Sequence, residues 1–331
     1  MPATPDSIPV VDLSTPSSAS GETSKVATAI HDACRGSGFF YVVGHGVEDD
    51  LQERLEARSR EFFAQSLEAK MAIRMELGGR SWRGYFPLGQ ELTLGKPDQK
   101  EGIYFGAELG ADHPRVAAGV PLHGPNLFPD LPSFRDTVLE YLDALTQLGH
   151  RLMEAMALSL GLPVSYFDER YTRDPTVLFR IFHYPSISLS DASDALWSVG
   201  EHTDYGLLTI LRQDEAGGLQ IKSRDSGWID APPLPGAFVC NIGDMLDRMT
   251  GGYYRSTPHR VLNESGRERL SFPFFFDPGW EAEVRPIEVP GATVDEDRWD
   301  GVSVHEFQGT YGEYLLAKVS HVFPGLGEDV L

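Results

Sequence analysis

The chain has 331 residues, 41% of them hydrophobic and 23% charged, which is a composition typical of globular proteins. Its formal net charge of −21 argues against nucleic acid or an anionic membrane as a partner, because both are bound through basic patches. Two cysteines are too few for a disulfide framework, and neither a signal peptide nor a membrane-spanning run is visible. We therefore predict a cytoplasmic protein without nucleic-acid or membrane partners, whose oligomeric state the sequence leaves open.

The first half of the chain is predicted to be mainly helical, since apolar side chains recur there at spacings of three and four. Strands are predicted at residues 7–13 and 39–43, and helices at residues 24–35, 47–64, 66–75, 133–160 and 163–170. Glycine and proline punctuate residues 78–129, which predicts loops there. Two aromatic clusters, residues 82–86 and 102–106, stand out in this segment.

After residue 174 the pattern changes to short β-rich runs separated by turns. Strands are predicted at residues 176–184, 207–213, 218–222, 227–231, 237–242, 256–262 and 269–276. A helical turn at residues 245–250 and an outer helix at residues 302–319 complete the prediction. So many short strands favour an antiparallel sandwich or barrel. We expect residues 1–331 to form one domain, with a helical and loop-rich part to about 174 and a β core at about 175–290.

Residues 199–211 contain a candidate metal site. His202 and Asp204 would leave the same face of a strand, because side chains alternate with period two. His259, on another predicted strand, is the best third ligand. Two histidines and one carboxylate form the facial triad of non-haem Fe(II) oxygenases, although such a set can also hold zinc for hydrolysis. The alternatives are a surface pair or capped turn for the first two residues and a packed core histidine for His259.

A second candidate site lies on the last predicted strand, where Arg269 and Ser271 share one face. A guanidinium beside a hydroxyl is suited to binding a carboxylate. The neighbouring Phe272, Phe274 and Phe276 indicate a buried strand, in which a charge needs a partner, and no acidic residue lies beside Arg269 on its face. A solvated arginine at a strand edge is the alternative.

These residues and several shorter motifs together resemble the isopenicillin N synthase-like branch of the 2-oxoglutarate- and Fe(II)-dependent dioxygenases. The motifs keep one order over most of the chain. They are Ile8-Pro9-Val10-Val11-Asp12-Leu13, residues 38–46, Arg83-Gly84-Tyr85, His183-Tyr184-Pro185, His202-Thr203-Asp204, Asn241-Ile242-Gly243-Asp244, residues 256–261 and Arg269-Leu270-Ser271.

The resemblance implies a mainly β fold with flanking α-helices and a double-stranded β-helix (jelly roll) core. It implies that His202, Asp204 and His259 bind Fe(II), and that O2 and 2-oxoglutarate are cosubstrates. The far carboxylate of 2-oxoglutarate would meet Arg269 and Ser271, with Tyr184 adding a hydroxyl. Plant members often carry an asparagine two residues before that tyrosine, where this chain has Phe182.

The resemblance also implies a reaction: 2-oxoglutarate is converted to succinate and CO2, and a small-molecule substrate is oxidised, most often by hydroxylation. Arg83, Tyr85, Tyr104 and Phe275 are the candidate substrate contacts, with structural packing as the alternative for each. An oxidase that uses iron and O2 without 2-oxoglutarate, like isopenicillin N synthase, shares the Arg-x-Ser pair and stays open. A binding protein without turnover is a third hypothesis, which the complete triad argues against.

Overall fold

The fold is built from two β-sheets and a set of helices that pack on the larger sheet. The computed structural model describes residues 8–14, 20–93, 95–186, 198–223, 226–263, 265–289 and 307–320. The helices are α1 (Ser20–Arg35), α2 (Asp49–Phe63), α3 (Leu67–Met71), α4 (Pro114–Ala117), α5 (Phe134–Ser159), α6 (Asp244–Met249) and α7 (Tyr311–Val319), with a 3-10 segment at Met75–Ser81 and a π-helical turn at Asp168–Thr172.

The strands follow the same order along the chain. They are β1 (Val10–Asp12), β2 (Phe39–Val43), β3 (Gly84–Phe86), β4 (Leu92–Thr93), β5 (Lys96–Pro97), β6 (Glu101–Gly106), β7 (Thr176–Tyr184), β8 (Val199–His202), β9 (Leu208–Gln213), β10 (Leu219–Ser223), β11 (Gly227–Asp230), β12 (Phe238–Ile242), β13 (His259–Val261) and β14 (Arg269–Asp277). The eight-stranded sheet has the order β1-β2-β12-β9-β14-β7-β6-β3, and the four-stranded sheet has the order β11-β10-β13-β8.

The larger sheet has a helix-covered outer face and an inner face that looks toward the smaller sheet. Alternation along β14 puts Phe272, Phe274 and Phe276 outward, all fully buried. α5 approaches so closely that a Cβ on Gly149 would lie 2.4 Å from the ring of Phe276. A separate apolar cluster fills the space between the sheets, joining Phe39 and other residues of the larger sheet to Val199 and its neighbours in the smaller one. The predicted jelly-roll core with flanking helices is therefore confirmed.

Most predicted elements are present, but one segment was wrong. β2 and β7 match their predicted bounds, and α5 matches within one residue at each end. The segment predicted as loops, residues 78–129, contains β3 and β6, whose aromatic residues extend the larger sheet. The predicted helix at residues 66–75 splits into α3 and the start of a 3-10 segment. Of the predicted C-terminal helix, residues 302–306 lie outside the described residues and α7 begins at Tyr311. Within the described parts of the chain, no helix has both the length and the apolar character that crossing a bilayer requires.

Asp277, at the end of β14, ties the C-terminal helix to the turn that follows Asp204. Its carboxylate accepts a hydrogen bond from the Leu207 amide at 2.9 Å and one from the Tyr311 hydroxyl at 2.6 Å. Burial raises the pKa of Asp277 to about 7, against the lowering effect of these two donors. α7 and the turn are therefore joined through one buried carboxyl group.

This pKa predicts a pH-dependent difference in stability between the protein and the variant Asp277→Asn. The folded pKa lies above the ordinary value of 3.8, so the stabilising contribution of the carboxyl group is complete below 3.8 and is lost as the pH rises through about 7. We expect the free energy of unfolding of Asp277→Asn, relative to the unsubstituted protein, to rise by roughly 1–4 kcal/mol between about pH 4 and pH 8. Denaturant unfolding at several pH values measures it. Asp143→Asn, exposed on α5, is the control, and a difference constant with pH would contradict the prediction.

Candidate active site

The three candidate metal ligands meet at one end of the space between the sheets. His202 is the last residue of β8 and His259 the first of β13, and the two are direct partners in the antiparallel pairing of these strands. Asp204 was predicted to share a strand with His202, but β8 ends before it. It lies in the loop between β8 and β9, where the Asp244 amide at the start of α6 donates to the Asp204 carbonyl at 2.7 Å.

The ligand atoms of this triad face one another. One from each of His202, Asp204 and His259 lie within 4.8 Å of one another, and among the described residues this is the group of histidine, cysteine and acidic side chains that could hold a metal ion. Asp204 Oδ1 is 3.7 Å from His259 Nε2 and 4.0 Å from His202 Nε2. One ion fits between these three ligand atoms, which would all contact it from the same side. This is a facial arrangement of ligands.

Hydrogen bonds orient both imidazole rings toward this point. The Nδ1 atom of His202 is 2.8 Å from the Gly200 carbonyl, and that of His259 is 3.2 Å from the Thr257 carbonyl. A carbonyl only accepts, so each Nδ1 carries the proton and donates it. Each Nε2 therefore keeps a lone pair for a metal, as metal-ligating histidines require.

The Asp204 carboxylate is held in the same way. Its Oδ2 accepts hydrogen bonds from the Thr209 hydroxyl at 2.5 Å and from the Asn241 side-chain amide at 2.7 Å. Oδ1 remains directed at the two histidines. Of these two donors, Asn241 belongs to one of the motifs found in the sequence, whereas Thr209 belongs to none of them. The signal for Thr209 was a polar side chain within the otherwise apolar run at residues 207–211.

Electrostatics keep His259 and Asp204 in the metal-binding protonation state. Burial, reinforced by the neighbouring His202, lowers the pKa of His259 to about 4. Burial alone would raise the pKa of Asp204, but His259, His202, Asn241 and Thr209 outweigh it, and the net shift is downward. At neutral pH the site therefore offers a neutral His259 and an ionised carboxylate, which is the form that binds a divalent metal.

The second candidate site lies on the inner face of the larger sheet, where β14 pairs with β7. Arg269 is opposite Tyr184, and its Cζ lies 4.6 Å from the centre of the Tyr184 ring. Its Nε donates to the Gly217 carbonyl at 2.6 Å. The Ser271 hydroxyl is 3.5 Å from that of Tyr184. The structure thus brings the three predicted carboxylate-binding residues together.

The buried guanidinium of Arg269 has one donor that is not paired by the described part of the protein. Its side chain is 1% exposed, yet its Nη1 atom is buried without a hydrogen-bond partner among the described residues. A buried donor left unpaired is costly, and native structures pair nearly all of them. The absence of any described ion pair for Arg269 makes a bound anion the fitting partner.

Two of the four predicted substrate contacts, Arg83 and Tyr85, are bound by other parts of the protein. Arg83 is 3% exposed, and its guanidinium is bound by the carbonyls of Leu122, Gly124 and Ala107, so it stabilises a loop. Tyr85 is 1% exposed and donates its hydroxyl to Glu101 at 2.5 Å on the helix-covered face. The polar groups of both side chains are engaged by the protein itself, and we correct both assignments to structural packing.

The other two candidates, Tyr104 and Phe275, are on the inner face. Phe275 pairs with Thr209 of β9, the residue that holds Asp204. Tyr104 donates its hydroxyl to Glu91 at 2.7 Å. Between them lies Arg180, whose Cζ is 3.5 Å from the centre of the Tyr104 ring and 5.8 Å from that of Phe275. Arg180 was not among the predicted site residues, although it shares the inward face of β7 with Phe182 and Tyr184.

Two family models match the chain. The one described as the N-terminal region of non-haem dioxygenases in morphine synthesis matches residues 8–131, and that of the 2OG-Fe(II) oxygenase superfamily matches residues 175–278. The second match includes His202, Asp204, His259 and Arg269.

Comparisons over the full length agree with these matches. A probable iron/ascorbate oxidoreductase of Dictyostelium discoideum is 50% identical over 98% of this chain and 97% of its own. A 1-aminocyclopropane-1-carboxylate oxidase of the same organism is 39% identical over 96% of both chains. Among solved structures, a full-length Neurospora crassa protein in complex with α-KG and thymine is 27% identical, with a TM-score of 0.80 over 95% of this chain and 96% of its own.

The fold, the triad and the relatives all indicate the same protein family. The family uses Fe(II), 2-oxoglutarate and O2, and structural neighbours were solved with 2-oxoglutarate and iron bound. The two donor sets described above fit this metal and this cosubstrate. The chain belongs to the 2OG-Fe(II) oxygenase superfamily and is an oxidoreductase of the 2-oxoglutarate-dependent dioxygenase class.

Proposed function

We propose that this enzyme hydroxylates a small molecule while converting 2-oxoglutarate to succinate and CO2. The observation that carries the proposal is the pairing of two sites in one interior: a triad that is oriented for a metal, and a buried Arg269 whose Nη1 lacks a partner among the described residues. The far carboxylate of 2-oxoglutarate would give this donor an anionic partner. A zinc hydrolase or a non-catalytic binding protein would give Arg269 no role.

Separate sets of residues would hold the metal and the cosubstrate. His202 and His259 would hold Fe(II) through Nε2 and Asp204 through Oδ1, and the bound iron supplies the activation of O2. Arg269, Ser271 and Tyr184 would hold the far carboxylate of 2-oxoglutarate, which fixes the orientation of the cosubstrate. Thr209 and Asn241 keep the Asp204 carboxylate turned toward the metal. Phe275 and Phe182, half-buried on the inner face, keep the neighbouring space apolar.

We also propose that residues 1–331 form one domain, since β1 and β2 of the N-terminal part are strands of the same sheet as β14 and β7. A small-molecule substrate agrees with this site, which lies inside the fold. A cytoplasmic location and the absence of nucleic-acid and membrane partners stay predictions from the sequence.

The test is anaerobic addition of Fe(II) and 2-oxoglutarate to the purified apoprotein. We expect the weak visible charge-transfer band of the iron chelate, and release of succinate and CO2 once O2 and a substrate are supplied. Iron binding without the band would contradict the use of 2-oxoglutarate, and no iron binding would contradict the triad itself.

The second candidate function is an oxidase that uses iron and O2 without 2-oxoglutarate. The relative named 1-aminocyclopropane-1-carboxylate oxidase favours it, at 39% identity over 96% of the chain. An oxidase of this kind would turn over its substrate with no succinate formed. Quantifying succinate against substrate consumed therefore separates the two functions.

The hydrogen bond from Thr209 predicts a measurable effect on metal affinity. Thr209→Val keeps the shape of the side chain but removes the donor to Asp204 Oδ2. We expect Fe(II) affinity to fall by about 10- to 100-fold, as for other residues that orient metal ligands. Anaerobic Fe(II) titration at saturating 2-oxoglutarate measures it. Thr146→Val, which removes a hydroxyl that donates to the Leu142 carbonyl within α5, should leave the affinity unchanged.

A further inference from the structure

Arg180 is a charged side chain in the interior that the metal and cosubstrate sites do not use. It lies on β7, on the same inward face as Phe182 and Tyr184. Its outward neighbours Phe179 and Ile181 are fully buried under the helices. The guanidinium of Arg180 therefore projects into the space between the sheets.

Among the described residues, no carboxylate oxygen lies within 4.0 Å of the Arg180 guanidinium, so Arg180 forms no ion pair there. Glu91 and Asp277 act on it electrostatically from farther away, but both are already engaged. Glu91 is paired with Lys100 at 3.1 Å, and Asp277 accepts from Tyr311. The contacts of the Arg180 guanidinium are backbone carbonyls at 3.3 Å and the Tyr104 hydroxyl, which are uncharged acceptors. A cation without a contacting counter-ion inside a protein is a site for an anion.

The surroundings of Arg180 are flat and apolar. Its guanidinium is stacked 3.5 Å from the Tyr104 ring centre and lies 5.8 Å from that of Phe275. Arg180, Phe182 and Phe275 are only half-buried although all three face the interior, whereas the outward side of the same strands is sealed. The space beside them is thus open to a ligand.

This space adjoins the metal triad. Phe275 of β14 pairs with Leu178 of β7 on one side and with Thr209 of β9 on the other. Thr209 in turn donates to Asp204. Because neighbouring strands are about 4.8 Å apart, Arg180 lies roughly 10 Å across the sheet from the strand that supports the triad. A small molecule held at Arg180 can place another of its atoms at the metal.

We propose that Arg180 binds the carboxylate of the substrate, and that the substrate is a small monocarboxylate whose flat, apolar body packs against Phe275 in front of the triad. This inference rests on the proposed function, because it places the substrate beside an iron site. It is separate from the 2-oxoglutarate contacts, which belong to Arg269 on β14. It assigns Arg180 to specificity and gives it no part in binding the metal.

The experiment measures binding of a probe, benzoate, by equilibrium dialysis against the full chain loaded anaerobically with Fe(II) and saturating 2-oxoglutarate. We expect a Kd of about 1 mM or below for benzoate, which is reasonable for so small a ligand. Benzamide, the neutral isostere, should bind at least about 10-fold more weakly, since a charge-assisted pair is lost. Propionate, which has the charge but no ring, should also bind more weakly.

The variants decide whether Arg180 is responsible. Arg180→Gln should weaken benzoate by at least about 10-fold and leave benzamide unchanged, while Arg180→Lys should be intermediate because it keeps the charge without the planar fork. Arg212→Gln is the matched control, since Arg212 lies on the outer face of the same sheet and pairs with Glu56 at 2.6 Å. It should bind benzoate normally. If Arg180→Gln does not fold, the comparison of Arg180→Lys with the unsubstituted protein serves in its place.

The outcomes separate this inference from the proposed function. The charge-transfer band is recorded first on every sample. If the band is present but benzoate binds Arg180→Gln as well as the unsubstituted protein, or benzamide binds as well as benzoate, or benzoate does not bind, the inference is overturned and the proposed function stands. If the band is absent from the unsubstituted protein, the proposed function fails and the inference fails with it.

Discussion

Replacing Asp204 by alanine is expected to abolish Fe(II) binding and with it the chelate band and succinate formation. The substitution removes the single carboxylate of the triad, and with it the negative charge that offsets the ion beside two neutral imidazoles. We expect the apparent affinity for Fe(II) to fall by more than about 100-fold, since even groups that only orient metal ligands contribute about 10- to 100-fold. The measurement is anaerobic Fe(II) titration followed by the band at saturating 2-oxoglutarate.

Two further variants serve as controls for the effect of Asp204→Ala on Fe(II) affinity. Asp204→Asn retains the shape and the acceptor for Thr209 and Asn241, so it tests the loss of charge without a gap in the packing. Asp230→Ala removes an exposed carboxylate of β11 and should bind Fe(II) normally. Circular dichroism confirms that each variant is folded. Wild-type iron affinity in folded Asp204→Ala would show that the triad is not the metal site.

Replacing Arg269 by leucine is expected to remove 2-oxoglutarate binding while leaving iron binding in place. The guanidinium is buried, has an Nη1 without a partner among the described residues, and lies against Tyr184 near Ser271. Losing one partner of a buried charge pair weakens binding by about 100-fold or more. The affinity of Arg269→Lys for 2-oxoglutarate should lie between those of the unsubstituted protein and Arg269→Leu, because an ammonium keeps the charge but cannot form two parallel hydrogen bonds.

This prediction tests whether Arg269 is the residue that binds 2-oxoglutarate. The measurement is the concentration of 2-oxoglutarate that gives half of the chelate band at saturating Fe(II), with Arg212→Leu as a control on the outer face of the sheet. A shift in this concentration with unchanged Fe(II) affinity assigns Arg269 to the cosubstrate. An unchanged concentration would mean that 2-oxoglutarate is bound elsewhere.

Local patterns predicted the elements whose side chains alternate or repeat regularly. β7 and β2 have clear β-rich runs between turns, and α5 has a long apolar stripe, so their bounds needed no knowledge of neighbours. β3 and β6 were missed because they are short runs next to glycines in a loop-rich segment. β6 is held by pairing with β7, which is far away in the sequence, and β3 is held by pairing with β6.

The chain's residue types and their order determined the chemistry of the site. Two histidines with one carboxylate, followed by an arginine and a serine two residues apart, indicated the metal and the cosubstrate because few arrangements serve both. Only the tertiary structure decided which other side chains share that space. Arg83 and Tyr85 were candidates by sequence, yet backbone carbonyls bind the guanidinium of Arg83, and the pairing of β3 turns Tyr85 to the helix-covered face. Arg180 and Thr209 were not candidates by sequence, but alternation on strands that pair at long range turns both side chains to the inner face of the sheet. Sheet register is a nonlocal property, and shifting a strand by one residue exchanges its two faces, so no local pattern could have placed Tyr85 and Arg180 on opposite faces of the sheet.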